Sequence, residues 1–472
     1  MNILKRFQYI TSSILLAAII TACVNSSSKP RLEELHIYEG RYKYLNNSSL
    51  DIVTSAMDTT LYAVIDGAKY PLHHLNGDTF MDMQDNLVVF SRDHTYLPSS
   101  FSVGGQSFEL LTRDFERIEM IPRKVLFQHP EQYAYLPPMQ HSDGLATGEL
   151  GHAFSDPAPI IEMVKQTIAG NYPDVHSILI YRHGKLVLEE YFYGYDQNTP
   201  HQLRSATKPF ISALVGITVE RGHIKSVTDP LLPYFSEKYD TIANMDSRKR
   251  DMTIEQFLMY RHGLDCQNND PESLGNEQAM MASDDWIKYT LDLPIETDPG
   301  QKSSYCTGCA LTLGSLVEEA TGEEIESFAY TYLFEPMGIK NYKWTFEPNP
   351  ASTNTFSQMY LTSRDLIKLA AMYLNEGMWN GQSILPAAWV RKTFDTETGD
   401  YGYLWEHKFF EKNSTHYNSF LASGNGGQKI NIWPELDMIT VFTGGNYNSY
   451  ALYGKSTPPN EMIPKFILSS IE

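Results

Sequence analysis

The arrangement of apolar residues changes near residue 148, and this change limits the folds that the chain can adopt. Before it, short alternating runs are separated by turn residues: Leu61–Ile65 precedes Asp66-Gly67, and Phe108–Leu111 follows Gly104-Gly105. Asp-Gly and Gly-Gly between apolar runs are typical of β-hairpins. We therefore predict a small antiparallel β-domain over residues 31–118, followed by a linker rich in proline and aromatic residues over 119–147.

After residue 148 the pattern predicts helices between two hairpins. One hairpin joins Ile178–Tyr181 to Leu186–Phe192, and the other joins Lys429–Trp433 to Met438–Thr443. Between them, apolar residues at helical spacing before a glycine predict helices that end near that glycine, over residues 211–220, 253–259, 311–320 and 363–374. Residues 148–472 are thus predicted to form an α+β domain in which both ends build one antiparallel sheet, flanked by helices.

The first residues resemble a bacterial lipoprotein signal with its lipobox. Lys5 and Arg6 precede an apolar run from Ile10 to Ile20, which closes with Thr21-Ala22-Cys23. A transmembrane helix is the alternative, but the run is shorter than the ~20 apolar residues that a bilayer requires. The resemblance implies a signal peptide over residues 1–22, a lipid anchor on Cys23 and a polar tether over 23–30.

Such an anchor would place the protein in the cell envelope, attached to a membrane and facing the periplasm. Val24 is not the aspartate that retains many lipoproteins in the inner membrane, so the outer membrane is preferred. The composition argues against nucleic acid as a partner, because 37 Lys and Arg residues stand against 57 Asp and Glu residues, a net charge of −20. Nucleic-acid affinity depends on basic residues that neutralise phosphates.

Three cysteines follow Cys23: Cys266, Cys306 and Cys309. Cys306-Thr307-Gly308-Cys309 has the form of a redox or zinc motif, but a structural zinc site needs two further ligands at close spacing. No second Cys-x-x-Cys and no His-x₃₋₅-His accompany it, so we predict no metal and no cofactor. An exported protein favours a disulfide instead, between Cys266 and either Cys306 or Cys309, with one thiol left over.

Ser205-Ala206-Thr207-Lys208 precedes the predicted helix 211–220. Residues three apart on a helix share a face, and a desolvated lysine can take the proton of a serine hydroxyl. Alone, this motif is weak, since Ser26-Ser27-Ser28-Lys29 has the same spacing. The alternative interpretation is a helix cap at Ser205 and a solvated lysine at Lys208.

Two later motifs follow in a characteristic order: Tyr305-Cys306-Thr307, then Gly424-Asn425-Gly426-Gly427-Gln428 before a strand. This order resembles the serine β-lactamase-like hydrolases, which include class C β-lactamases, D-alanyl-D-alanine carboxypeptidases, esterases and 6-aminohexanoate-dimer hydrolase. The resemblance extends from about residue 148 to the C-terminus and implies a β-lactamase/transpeptidase-like fold. Tyr38-Glu39-Gly40-Arg41-Tyr42 makes the first domain similar to lipocalin-like modules that accompany some penicillin-recognising enzymes.

The resemblance also implies roles for individual residues. Ser205 would be the acylated nucleophile, Lys208 would help to deprotonate it, and Tyr305 would pass the proton to the leaving group. Thr307 stands where the family commonly has an asparagine that bonds to substrate. The third motif, Gly424, Asn425, Gly426 and Gly427, would contact substrate, and the N–H groups of Ser205 and Gly427 would form the oxyanion hole.

The sequence departs from the family at two places, and one further residue is a weaker candidate. It has no Lys-Thr-Gly, and Gly424 stands where relatives carry a cation that binds a substrate carboxylate. Pro209 crowds the backbone of Lys208. His262 is a weaker candidate, better explained as a structural hydrogen-bonding group than as a catalytic one.

These features favour a serine hydrolase that cleaves a neutral ester or small amide. A cell-envelope hydrolase of muropeptides or D-amino-acid peptides is the alternative within the enzyme class; the expected location favours it and the missing cation counts against it. A catalytically weak envelope-binding protein of the same fold is the alternative outside that class.

Overall fold

The computed structural model describes residues 30–44, 49–55, 59–65, 68–82, 85–117, 129–345, 358–447 and 457–471. The predicted signal peptide, Cys23, most of the tether and the first part of the predicted linker lie outside these residues. Within them, no helix has the length and apolar character needed to cross a membrane. The chain divides into two compact units, Met1–Pro122 and Arg123–Glu472.

The first unit contains a closed barrel of eight antiparallel strands, in which each strand pairs with the next and β1 pairs with β8. This confirms the predicted all-β domain. A short helix, Leu32–Leu35, precedes the barrel. The strands are β1 Gly40–Lys43, β2 Ser49–Ser55, β3 Thr60–Ile65, β4 Ala68–Asn76, β5 Thr79–Met81, β6 Leu87–Arg92, β7 Pro98–Val103 and β8 Gln106–Thr112.

Aromatic side chains form much of the buried core of this unit. Strand β6 alternates between exposed residues and the buried residues Val88 and Phe90, as expected when one face of a strand lies against a core. The ring of Phe90 lies 5.5 Å from that of Phe80 and 5.6 Å from that of Phe101, centroid to centroid. These large rings supply a dense core for a domain of few residues.

The second unit is built on a seven-stranded sheet in the order β10-β9-β20-β19-β18-β17-β16. Strand β9 from the start of the domain pairs with β20 near its end, which confirms that both ends build the sheet. Its strands are β9 Val175–Arg182, β10 Lys185–Tyr191, β16 Tyr401–Gly402, β17 Trp405–Lys412, β18 Thr415–Gly424, β19 Gln428–Trp433 and β20 Met438–Gly444; the shorter strands elsewhere are β11 His201–Gln202, β12 Lys343–Thr345, β13 Gln358–Leu361, β14 Met378–Trp379 and β15 Gln382–Ser383.

Helices flank this sheet, so the predicted α+β, β-lactamase-like class is confirmed. The longest described helices match the predicted ones and end close to the expected glycines: Gly322, for example, caps its helix with a φ of 74°. The α-helices are Leu150–Ala153, Ala158–Ile168, Lys208–Glu220, Ser247–Arg250, Ile254–Leu258, Glu277–Met281, Trp286–Asp292, Thr307–Thr321, Ile325–Ala329, Ser363–Leu374, Ala387–Thr393 and Pro458–Met462.

Residues 129–147, which the sequence pattern predicts as part of the linker, belong to the second unit and pack against its strand β10. The hydroxyl of Tyr135 donates to the carbonyl of Val187 at 2.9 Å, Leu145 is buried, and Thr147 forms a β-bridge with Leu186. Strand β10 therefore has a neighbour along this edge that the pattern of the sequence did not indicate.

Candidate active site

Ser205 lies in a 3₁₀ turn, Arg204–Thr207, that leads directly into the helix Lys208–Glu220. The 3₁₀ turn repeats every three residues, so Ser205 and Lys208 point to the same side. Pro209 occupies the first helical turn, where a missing N–H leaves no hydrogen bond unmade, and Lys208 keeps helical angles of φ −57° and ψ −40°. The crowding expected from Pro209 is thus accommodated, and the helix begins earlier than the pattern predicted.

Lys208 brings the three predicted catalytic side chains together. Its Nζ lies 2.8 Å from the Oγ of Ser205 and 2.7 Å from the hydroxyl of Tyr305, and 4.9 Å from the centroid of the Tyr305 ring. The Lys208 side chain is buried, whereas Ser205 and Tyr305 are half-buried. A lysine reached from two sides by hydroxyl groups can exchange protons with either of them.

Burial has opposite consequences for the two titratable groups. It lowers the pKa of Lys208 to about 7, against the smaller opposing effect of the nearby Glu277 carboxylate. Burial also raises the pKa of the Tyr305 hydroxyl. Near neutral pH, Lys208 therefore has a substantial neutral fraction that can act as a base, while Tyr305 remains a phenol.

Aromatic rings surround Tyr305. The ring of Tyr260 lies 5.1 Å away and that of Tyr401 5.9 Å away, centroid to centroid. The hydroxyl of Tyr260 is buried and has no hydrogen-bond partner among the residues that the structure describes. These rings keep water from the region around Tyr305 and so account for the direction of its pKa shift.

The Tyr305 motif is held by a disulfide between Cys266 and Cys306, one of the two pairings predicted. Cys309 is the free, buried thiol. His262, Cys306 and Cys309 place potential metal ligands within 4.8 Å of one another. However, Cys306 is bonded to Cys266, so its sulfur is already engaged.

His262 is fully engaged by the backbone. Its Nε2 lies 3.0 Å from the carbonyl of Ser304, and its Nδ1 accepts the N–H of Leu264 at 3.0 Å. Burial lowers the pKa of His262 to about 4. A neutral histidine with both nitrogens engaged has a structural role here, beside the segment that carries Tyr305.

Thr307 makes a dense set of polar contacts that sequence reasoning missed. The amide of Asn268 receives the N–H of Thr307 at 2.7 Å and donates to its hydroxyl at 2.5 Å, and that hydroxyl donates to Glu277 Oε1 at 2.9 Å. Asn268 and Glu277 precede Thr307 by 39 and 30 residues. No local pattern in the sequence indicates contacts over such separations.

The glycines of the third motif differ in what they contact. A Cβ on Gly424 would lie 2.1 Å from the carbonyl oxygen of Leu203, so only glycine allows this strand to approach the turn that carries Ser205. Gly426, with a φ of 99°, packs against the ring of Tyr447. The nearest neighbour of a Cβ on Gly427 would be Gly444, at 3.9 Å.

The side chain of Gln428 stabilises the loop between β18 and β19. It is fully buried, donates to the carbonyls of Gly444 at 2.6 Å and Asn425 at 3.3 Å, and accepts the N–H of Gly444 at 3.1 Å. Asn425 itself is half-buried at the turn. The loop is thus fixed to β20, with Gly424 at the end nearer to Ser205.

Comparison with known proteins identifies the family. The family model described as Beta-lactamase matches residues 164–453, more than half of the chain. The chain belongs to the beta-lactamase family. It is therefore a serine hydrolase of that family, and the residues matched include Ser205, Lys208, Tyr305 and the glycine motif.

Individual relatives are distant. An uncharacterized protein of Alkalihalophilus pseudofirmus is 20% identical over 314 residues, which cover 58% of this chain and 84% of that protein. The acyltransferase mokF of Monascus pilosus is 28% identical over 165 residues, 32% of this chain and 40% of the acyltransferase. A crystal structure from Bacteroides dorei shares the fold, with a TM-score of 0.50 at 16% identity, covering 66% of this chain and 99% of that one.

Proposed function

We propose that the protein hydrolyses a neutral ester or small amide through an acyl-enzyme on Ser205. The observation that carries this proposal is the position of Lys208, whose Nζ is within 2.8 Å of both the Ser205 hydroxyl and the Tyr305 hydroxyl. A buried amine between a nucleophile and a second proton carrier can both activate the nucleophile and supply a proton to the leaving group, as acyl transfer needs.

In the first step, neutral Lys208 takes the proton of Ser205 as Oγ forms its bond to the substrate carbonyl carbon. Tyr305 gives its proton to the leaving alcohol or amine as the carbonyl–heteroatom bond breaks, and Lys208 reprotonates Tyr305. In the second step water attacks the acyl-enzyme, the same groups take its proton, and Ser205 recovers its hydrogen as the acid departs.

The negative charge on the carbonyl oxygen requires two backbone donors, each worth about 3 kcal/mol. The N–H of Ser205 is the first. We predicted Gly427 for the second, but the contact of Gly424 with Leu203 favours a donor at the Gly424 end of the motif. Proline is the one substitution that removes a backbone N–H, and its fixed φ would distort this loop, so the two positions are distinguished by a structure of the phosphonylated enzyme.

The charges around the site favour an uncharged substrate. Gly424 offers no cation for a substrate carboxylate, and the Glu277 carboxylate acts on both Lys208 and Tyr305. An anionic acyl group would add negative charge to a pocket that already contains it. We therefore place esters and small amides before D-amino-acid peptides with a free carboxylate.

We further propose that the mature protein starts at a lipidated Cys23 and works at the cell envelope, facing the periplasm. The support for this is the order of basic residues, apolar run and Thr21-Ala22-Cys23 in the sequence. Globomycin, which inhibits lipoprotein signal peptidase, should cause the precursor to accumulate. An unchanged mass in treated cells would contradict the anchor.

The first experiment is intact-mass spectrometry of residues 26–472 before and after a fluorophosphonate, with turnover of a p-nitrophenyl ester. We expect one adduct and measurable turnover, both lost in Ser205→Ala. Ser212→Ala is the matched control, since Ser212 is buried in the helix that follows the Ser205 turn, and its replacement should leave both the adduct and the turnover unchanged. No adduct and no turnover in the wild type would overturn the proposal and favour the binding-protein alternative.

A further inference from the structure

The hydroxyl of Thr307 has a single proton, and the structure directs it to Glu277. Asn268 fixes this orientation, because its amide nitrogen donates to the Thr307 oxygen while its amide oxygen accepts the Thr307 N–H. The hydroxyl then donates to Glu277 Oε1. Thr307 therefore cannot donate a hydrogen bond to a substrate without releasing Glu277. The asparagine that the family commonly has at this position could donate to a substrate freely.

Glu277 is itself held in place from two directions. It is the first residue of the helix Glu277–Met281, which Asn276 caps by accepting the N–H of Ala279. Its own N–H donates to the carbonyl of Asn268 at 3.3 Å. The N–H of Asn268 donates to the carbonyl of Tyr305 at 3.0 Å. Backbone bonds thus link Glu277 to Tyr305 through Asn268.

We propose that Glu277 is a positioning residue for the acid–base pair of Lys208 and Tyr305: through Thr307 and Asn268 it holds the Tyr305 segment against Lys208. The proposal rests on the proposed function, because it concerns the same proton transfers. Glu277 lies 30 residues upstream of Thr307 and outside the three sequence motifs, so those motifs do not reveal this role.

Several of the described groups face Lys208 and Tyr305. Lys208 faces the hydroxyls of Ser205 and Tyr305 and the charge of Glu277. Tyr305 is also close to the rings of Tyr260 and Tyr401 and to the charge of Glu406. Among them, Glu277 is the group that favours the protonated form of Lys208, which opposes the effect of burial.

The sign of the expected effect follows from this opposition. A nearby carboxylate favours the ammonium form, so its removal lowers the pKa of Lys208. Lys208 must lose its proton before it can act as a base. The acidic limb of activity should therefore move to lower pH when the carboxylate is neutralised, whereas loss of the general base itself would remove that limb together with most of the activity.

The test compares Glu277→Gln with Glu272→Gln, a matched variant because Glu272 is an exposed glutamate on the same segment. The pH dependence of kcat/KM for a neutral p-nitrophenyl ester is measured for both, together with the pH dependence of fluorophosphonate labelling of Ser205. We expect Glu277→Gln to shift both acidic limbs down by ~0.5 pH unit or more, with KM unchanged and kcat reduced. Glu272→Gln should match the wild type.

A third variant, Glu277→Asp, keeps the charge but shortens the side chain, so it should retain the wild-type limb and lose part of kcat. If Glu277→Gln does not fold, Glu277→Asp still tests the proposal through the pH profiles of kcat/KM and of labelling. A shift of the acidic limb in Glu277→Asp as large as the one expected for Glu277→Gln would contradict the proposal. Coincident limbs in Glu277→Gln and the wild type, or a shift to higher pH, would overturn it. Failure of the wild type to be labelled at all would instead reject the proposed function.

Discussion

Two buried lysines of the second unit, Lys208 and Lys249, differ in their partners rather than in their burial. Burial lowers the pKa of both, to about 7 and about 8. The Nζ of Lys249 donates to the carbonyls of Ala243 and Leu293, each at 2.7 Å. The Nζ of Lys208 instead meets two hydroxyls, those of Ser205 and Tyr305.

The comparison shows that a lowered pKa alone does not identify a catalytic lysine. Carbonyl oxygens only accept hydrogen bonds, so they favour the protonated form of Lys249. Lys249 thereby joins the two segments that carry these carbonyls. Hydroxyls both donate and accept, so Lys208 can exchange protons with its partners. The chemistry of the neighbouring atoms therefore separates a structural lysine from a candidate base.

The largest effect is expected from Lys208→Arg. Arginine keeps the positive charge but does not lose its proton in proteins, so kcat/KM for a p-nitrophenyl ester should fall by about a thousandfold. The melting temperature should remain near that of the wild type. Activity within tenfold of the wild type would show that Lys208 acts by charge alone.

Lys249→Met provides the other half of this contrast. It leaves the carbonyls of Ala243 and Leu293 without their donor, so the free energy of unfolding should fall by about 1–3 kcal/mol. Its activity below the melting temperature should be unchanged. A hundredfold loss of kcat in the folded variant would remove the distinction between the two lysines.

The disulfide ties the wall of the Lys208 pocket to the segment that carries Asn268. Because Cys266 and Cys306 are 40 residues apart, replacing both with serine should lower the free energy of unfolding by about 4 kcal/mol. Denaturant unfolding measures this. Cys309→Ala is the control; it should cost about 1 kcal/mol as a small cavity, and an equal loss in both variants would argue against a role for the crosslink.

Tyr305→Phe tests whether the second hydroxyl beside Lys208 takes part in the reaction. Loss of the proton donor to the leaving group should reduce kcat by about a hundredfold, with a smaller loss for esters whose leaving group is a good one. Tyr260→Phe is the matched control, since its buried hydroxyl has no partner within the described residues. It should keep full activity, and a comparable loss there would contradict the assignment to Tyr305.

The smallest predicted effect concerns the pH profile of the wild type, and the quantity measured is the midpoint at which kcat/KM rises on the acidic side. Lys208 becomes a base as pH rises through its pKa, so activity should increase with a midpoint near 7. Lys249→Met should leave that midpoint in place. A midpoint near 8 that moves in Lys249→Met would instead show that Lys249, and not Lys208, sets the pH dependence of activity.

Local patterns in the sequence were sufficient for several elements of the fold. The hairpin signals predicted the all-β first domain, and glycines after apolar runs predicted the ends of long helices such as Lys208–Glu220. The spacing of Ser205 and Lys208 was also informative, because residues three apart lie on the same side of either an α-helix or a 3₁₀-helix. Tyr305 was found only through the order of motifs, since nothing in its own surroundings predicts that it meets Lys208.

The sequence by itself thus determined which side chains were available, the nearly local pair Ser205 and Lys208, and an α+β sheet built from both ends of one domain. Only the tertiary structure decided that Cys306 takes Cys266 as its partner, that Gly424 rather than Gly427 packs against Leu203, and that Glu277 accepts a hydrogen bond from the Thr307 hydroxyl. The physical reason is chain separation. Periodicity and turn chemistry act over a few residues, whereas these contacts join segments that meet only when the core has packed.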